Sequence, residues 1–279
     1  MTDSVRGTGY IADPVGHLYN AFRAVHPAAR KIRGAKLPDS GGPMVFSPPV
    51  WDQDGTGSCV GHGFAGAITT VLGSLGRPTP RPVSPRACYF MARAVDRAAD
   101  AGPLPTLTDE GAAPNECARG LTVWGLELEG DRASDRCASD ADYTTWIAAH
   151  VNDELTLAEF EAEGTRRFLA DWTSIDDGDP DKVALMVQAL AAGYPATGAV
   201  DASVDEFQSY DGSGVLSYDG QAPDHEQYWN AYRKNAAGLY EFHEVNSWGR
   251  AWGDQGTAWV SQQSIAEATF NVLIPRVLP

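Results

Sequence analysis

The periodicity of this chain changes once, from helical to extended, and that change constrains the fold more than any other feature. Before Gly193 the well-patterned segments repeat at helical spacing. Val60, Phe64, Ala67, Ile68, Val71 and Leu72 fall on one helical face after Ser58, a fitting N-cap, and Gly73 can end the run. A second helix is predicted over 85–98. A third opens at Pro114, carries Cys117, Leu121 and Trp124 on one face and stops at Gly125, with proline early and glycine late. A fourth has Asp179 as cap, Pro180 at its first position, Val183, Val187 and Leu190 inward, and Gly193 as terminator. From Pro195 onward the chain shows short extended stretches, at 196–200, 214–218, 226–232, 239–245 and 257–261, with Asp-Gly and Asn-to-Gly turns between them. Helices first and strands afterwards imply an α+β protein of two lobes. The reading divides the chain into an irregular N-terminal extension (1–45), a mostly helical lobe (46–172) and a β-rich lobe (173–279), with the crossover between Tyr143 and Asp179.

Charge narrows the partners. A net charge of -16 on 279 residues, with the acids spread along the chain, argues against nucleic acid or an anionic membrane surface. The first sixteen residues show no basic stretch followed by an apolar core, and no apolar run reaches the length of a membrane span. These features predict a cytoplasmic protein, or one released without a visible signal peptide. Cys59, Cys88, Cys117 and Cys137 are the four cysteines; with one used as a thiol, at most one disulfide remains. His17, His26 and His150 lack partners at metal-ligand spacing, and no phosphate-binding glycine motif occurs, so neither metal nor cofactor is predicted.

Three segments carry chemistry. In the first, a glycine-rich loop from Pro49 to Ser58 delivers Cys59 to the start of a helix. There the orphan N–H groups and the helix dipole favour a thiolate over a thiol and can bind a developing oxyanion. Gln53 stands near enough to add a side-chain donor. In the second, His225 follows a turn and begins a strand, a position from which a side chain can point across a cleft. The third is Asn246-Ser247-Trp248-Gly249, followed by Trp252-Gly253. A thiol of pKa about 8.5 is mostly protonated at neutral pH. A facing imidazole and a helix N-terminus stabilise a thiolate–imidazolium pair, and an Asn oxygen orients the ring without adding charge. His62, one helical turn beyond Cys59, is a rival base. His243 reads as structural.

In order and approximate separation, Gln53, Gly57-Ser58-Cys59, His225 and the Asn-Ser-Trp-Gly at 246–249 resemble the papain-like cysteine peptidases, in particular their short bacterial and phage-type members. The resemblance implies a helical left lobe, an antiparallel β-barrel right lobe and an active site between them. It implies Cys59 as nucleophile, His225 as base and acid, Asn246 as orienting residue, Gln53 with the Cys59 backbone as oxyanion hole, and Trp248 as shield of the His–Asn bond. Gly111 and Ala112 would meet the substrate backbone. Asp224, with Ala199 and Val200, would border the pocket for the residue two before the scissile bond and favour an apolar side chain there. The partner is then a peptide or protein substrate. Isopeptide hydrolysis or transpeptidation on the same machinery, and an inactive papain-like binding protein, are the alternatives.

Several positions depart from that pattern. Val60, His62 and Gly63 follow the nucleophile where Trp, Phe and Ala are common. Asp109 stands where many relatives place a disulfide cysteine, so that bridge is absent. Ala231 replaces a glycine on the histidine strand, and Glu226 and Gln227 replace small apolar residues beside the base.

Overall fold

The computed structural model of the chain describes residues 10, 20–21, 37–99, 109, 111–130 and 170–277. His17, His26, His150 and Cys137, most of the 1–45 extension and most of the crossover stretch lie outside the described residues. Three helices form one body: α1 (Cys59–Ser74), α2 (Pro85–Ala99) and α3 (Pro114–Trp124). Phe64, Ile68 and Leu72 of α1 meet Cys88, Phe90 and Met91 of α2 and Cys117 and Leu121 of α3 in one core. The Trp124 side chain is outside the description.

The one-faced pattern of α1 understates its burial. Cys59 through Ile68 are all buried, because the helix lies between α2 on one side and the sheet on the other. Its glycines make room for both neighbours. A Cβ on Gly61 would stand 2.8 Å from the Tyr89 nitrogen, and one on Gly66 would fall on the Tyr228 ring. Side chains at these positions would push the packed layers apart.

The other elements are β1 (Asn20–Ala21), β2 (Ser40–Gly41), β3 (Ala170–Ile175), α4 (Lys182–Ala191), β4 (Ala196–Val200), α5 (Asp205–Gln208), β5 (His225–Lys234), β6 (Tyr240–Val245), β7 (Thr257–Ser261), α6 (Gln262–Glu267) and β8 (Thr269–Val277). The strands make one sheet in the order β1-β3-β8-β4-β5-β6-β7, with β2 on β5. All pairings are antiparallel except β1 with β3. Trp229, Phe242, Val260, Ile274 and the apolar side of α4 build a second core, separate from that of the helices. Tyr228, Val245 and Ala67 form a small cluster between the two.

Sequence and structure differ in several places. The sheet is not a closed barrel: among the described residues its path has two open ends. The outer edge of β7 is instead covered by the 216 segment, where Leu216 N–H donates to Trp259 O at 2.8 Å and Ser261 N–H to Leu216 O at 2.9 Å. Consequently 214–218 is a single bridge to Val260, not a strand. The fourth helix begins at Lys182, because 179–181 form a turn in which Lys182 N–H bonds Asp179 O at 3.0 Å. Strand β8 escapes the pattern since Asn271 and Pro275 interrupt it, yet it pairs with β3 along six residues.

Candidate active site

The loop before α1 is tied to both lobes. Gln53 N–H donates to Ser247 O at 2.7 Å, and Asp52 bridges Trp248, so the loop is stitched to the Asn-Ser-Trp-Gly segment. The buried Gln53 amide donates from Nε2 to Thr56 O at 2.8 Å and accepts the Ser247 hydroxyl at Oε1. From the helical lobe, the Asp109 carboxylate accepts Gly57 N–H and the Tyr89 hydroxyl. Burial and that carboxylate together push the Tyr89 phenol up, which keeps it a donor.

Ser58 takes the N-cap position of α1, but its side chain does not cap. Its φ of -96° and ψ of 15° lie outside the extended geometry that aims a cap oxygen at the first turn. The hydroxyl turns instead to Thr56 Oγ1, 2.7 Å away. The Ser58 side chain therefore makes no cap bond at the positive end of the helix that begins at Cys59, where a developing anion is favoured.

On the sheet side, His225 opens β5 and is fully buried. Its Nε2 lies 2.8 Å from Asn246 Oδ1. The same oxygen accepts Ser247 N–H at 2.7 Å, which fixes the amide orientation. An oxygen cannot donate, so Nε2 carries the hydrogen and Nδ1 keeps its lone pair. Nδ1 has no hydrogen-bond partner among the described residues. The Trp248 ring lies over the imidazole at 4.7 Å, and Phe207 packs edge-on against both rings. Burial pushes His225 down to about 4, opposed by the Asn246 bond and aided by His62.

Packing sets the register between α1 and β5. Gly63 lies against Glu226 and Gln227, and Gly66 against Tyr228. One helical turn back from Gly63 spans about 6 Å, or roughly two strand residues. That step puts Cys59 abreast of the start of β5, where His225 stands. Glu226, the next residue, lies against α1, where a Cβ on Gly63 would meet its Cγ at 3.1 Å.

His62 and His243 are engaged elsewhere. His62 Nδ1 lies 2.9 Å from Ser58 O on its own helix, and burial pushes the ring down to about 4. It lines a cavity of about 320 Å³ with Trp51, Arg86 and Glu129. His243 pairs through Nδ1 with Asn230 Oδ1 at 2.7 Å. Among the described residues, no group of three or more His, Cys, Asp or Glu side chains could hold a metal ion.

Of the residues assigned to substrate contact, Gly111 uses its N–H on the Tyr89 hydroxyl at 3.2 Å and its C=O on Arg93 at 2.8 Å. Ala112 instead bridges Tyr10. Asp224 gives its carboxylate to Ala202 N–H at 2.9 Å and its backbone oxygen to Tyr10 N–H at 3.1 Å. Sequence reasoning missed Tyr10, Tyr89, Phe207 and Asn271, and placed Asp109 at a missing cysteine before the substrate-pairing Gly111, not as the anchor of the nucleophile loop. None has a local signature, since each acts on a residue distant in sequence.

No family model and no curated protein sequence matches this chain. Solved structures do. Xylellain, a cysteine protease from Xylella fastidiosa, superposes with a TM-score of 0.68 at 16% identity, covering 98% of this chain and 97% of that one. Digestive procathepsin L 3 of Tenebrio molitor larval midgut gives 0.65 at 18% identity, covering 97% and 75%. The bromelain protease from Ananas comosus, in complex with the E64 inhibitor, gives 0.61 at 18% identity, covering 87% and 100%. The chain therefore has the papain-like fold that these cysteine proteases share.

Proposed function

We propose that this chain is a cysteine peptidase with Cys59, His225 and Asn246 as its catalytic residues. The observation that carries the reading is the His225 tautomer: Asn246 Oδ1 fixes hydrogen on Nε2 and leaves Nδ1 as a basic lone pair. A base in that state, abreast of a cysteine at a helix N-terminus, is the arrangement nucleophilic catalysis needs.

The Cys59 thiol proton passes to His225 Nδ1 as sulfur attacks the peptide carbonyl carbon. Backbone N–H groups of the first turn of α1 and a Gln53 amide hydrogen stabilise the oxyanion. Collapse of the tetrahedral adduct breaks the C–N bond, and the Nδ1 proton goes to the leaving amine. Water, deprotonated by Nδ1, then hydrolyses the thioester and returns the thiol. The buried Trp248 and Phe207 rings keep water from the Nε2–Asn246 bond, so the tautomer persists between turnovers.

An epoxysuccinyl inhibitor of the E64 class tests the assignment. Stoichiometric labelling at Cys59, with loss of peptide turnover and no labelling of Cys59→Ala, is the expected result. No labelling, together with iodoacetamide alkylation of Cys59 no faster than that of a free thiol, sinks it.

A further inference from the structure

Gln227 is buried on the strand that begins at His225, and neither Oε1 nor Nε2 of its amide has a hydrogen-bond partner among the described residues. Asn246 is half satisfied in the same way. Its Oδ1 takes hydrogens from His225 and Ser247, while its buried Nδ2 has no acceptor among the described residues. These two residues face each other. Tyr228 pairs with Val245 across β5 and β6, and the same antiparallel register carried one residue further sets Gln227 opposite Asn246. Residues directly opposite share a face of the sheet, with Cβ atoms about 5 Å apart. A buried donor and a buried acceptor therefore lie side by side and make no direct bond.

A small cavity meets both residues. Gln227, Asn246, Trp51 and His62 line it, and it leaves about 10 Å³ for the centre of a water molecule, room for one. His62 brings a third polar group. Its Nδ1 lies 2.9 Å from Ser58 O, and a carbonyl oxygen only accepts, so Nδ1 carries the hydrogen and Nε2 keeps a lone pair. No described residue hydrogen-bonds that Nε2. Glu226 also borders the cavity, but it lies against α1 at Gly63, whereas Gln227 stands across from Asn246.

We propose that one water molecule is bound in this cavity, accepting from Asn246 Nδ2 and donating to Gln227 Oε1 and His62 Nε2, and that Gln227 is thereby a positioning residue for the His225–Asn246 pair. Three bonds are the ordinary complement of a buried water. With that water bound, both ends of the Asn246 amide are held, and turning the amide away from His225 breaks bonds at oxygen and nitrogen alike. A buried amide hydrogen left without an acceptor is costly, so the water and its Gln227 acceptor favour the one orientation that serves the base. Gln227 touches neither substrate nor the reacting atoms; its effect passes through Asn246. The kinetic consequence rests on the peptidase reading, and the water site stands apart from it.

The test uses the full chain. In the Cys59→Ala protein, nuclear Overhauser transfer from a long-lived water to the Asn246 side-chain amide hydrogens reads the site without chemistry. It is expected there and should be lost in Cys59→Ala/Gln227→Met, where methionine keeps the length of the side chain and removes the amide. In the active chain, Gln227→Met should lower kcat about tenfold and leave KM within about twofold on one fluorogenic peptide. Gln227→Glu keeps an acceptor oxygen and should recover part of the loss. In an Asn246→Ala background, Gln227→Met should change kcat by less than about twofold, because the residue it acts through is gone. Water transfer that persists unchanged in Gln227→Met, or an equal loss of kcat in both backgrounds, overturns the inference. A Gln227-dependent water in a chain whose parent turns over no peptide sinks the peptidase reading alone.

Discussion

The Asp109 carboxylate holds the backbone N–H of Gly57, two residues before Cys59, with its oxygens at 2.9 and 3.0 Å. The same group accepts the Tyr89 hydroxyl at 2.6 Å, so one side chain fixes the nucleophile loop to α2. A Cβ on Gly57 would stand 2.9 Å from the Gly111 nitrogen, which is why the loop can approach so closely only with glycine there. Asp109→Ala removes a charged acceptor from two donors and is predicted to cost about 2–3 kcal/mol. Asp109→Asn keeps one acceptor oxygen and should recover part of it. Denaturant unfolding of the three proteins checks the order. An Ala variant as stable as the parent means the anchor is dispensable.

Asn246 fixes both the orientation and the tautomer of His225. Asn246→Ala is predicted to lower kcat by on the order of 10²-fold while leaving KM within about twofold, because the lost contact belongs to the base and not to substrate. Steady-state kinetics on one fluorogenic peptide decides it; an effect confined to KM would place Asn246 in substrate binding instead.

Gly66 faces the Tyr228 ring, where a Cβ would lie 2.7 Å from Cδ1 and 2.8 Å from Cζ. Helix propensity alone makes Gly→Ala favourable by about 1 kcal/mol. Overpacking at a buried seam costs about 1–3 kcal/mol, and the ring is backed by Ala67 and Val245, so packing wins. Gly66→Ala should therefore lower Tm. A raised Tm would mean that Tyr228 moves aside freely.

Stability should fall on acidification from pH 6.5 to pH 4. His62, His225 and His243 are each pushed down from 6.5 to about 4, mainly by burial. In that window the unfolded chain binds protons that the folded chain refuses. Their stabilisation is complete above pH 6.5 and lost as pH drops toward 4, on the order of 1 kcal/mol per histidine per pH unit. The buried Glu244 carboxyl and the half-buried Asp224 carboxyl, both pushed up by burial, act in the opposite sense above their ordinary values of 4.5 and 3.8. Three histidines against two carboxyls leave a net loss. Urea unfolding at pH 7, 6, 5 and 4.5 measures it, and a flat profile contradicts the burial of these rings.

How much the sequence discloses follows from the distance over which each feature is built. The helices α1 and α3 and the strands β4, β6 and β7 carry their own periodicity; α3 stops at Gly125, and β4 and β7 start just after Pro195 and Gly256. The Asn246–Trp248 segment is legible because orienting the base and covering it fall to neighbours in sequence. The hydrogen bond from Gly57 to Asp109 spans 52 positions, and that between Tyr10 and Asn271 spans 261. Neither end of such a pair announces the other. Strand β8 is hidden for a related reason: its bulge and Pro275 break alternation, and pairing with β3 and β4 restores it. Ser58 shows the reverse failure, since its residue type suits a cap that its backbone conformation prevents.

A carboxylate anchor at Asp109 also changes what the nucleophile loop can survive. The described cysteines, Cys59, Cys88 and Cys117, are all free thiols. A strong reductant, which keeps a nucleophilic thiol from oxidising, has no disulfide to open among them. Protection of Cys59 and integrity of the loop that presents it therefore make no opposing demands on redox potential, and dithiothreitol at any concentration should leave the loop geometry unchanged.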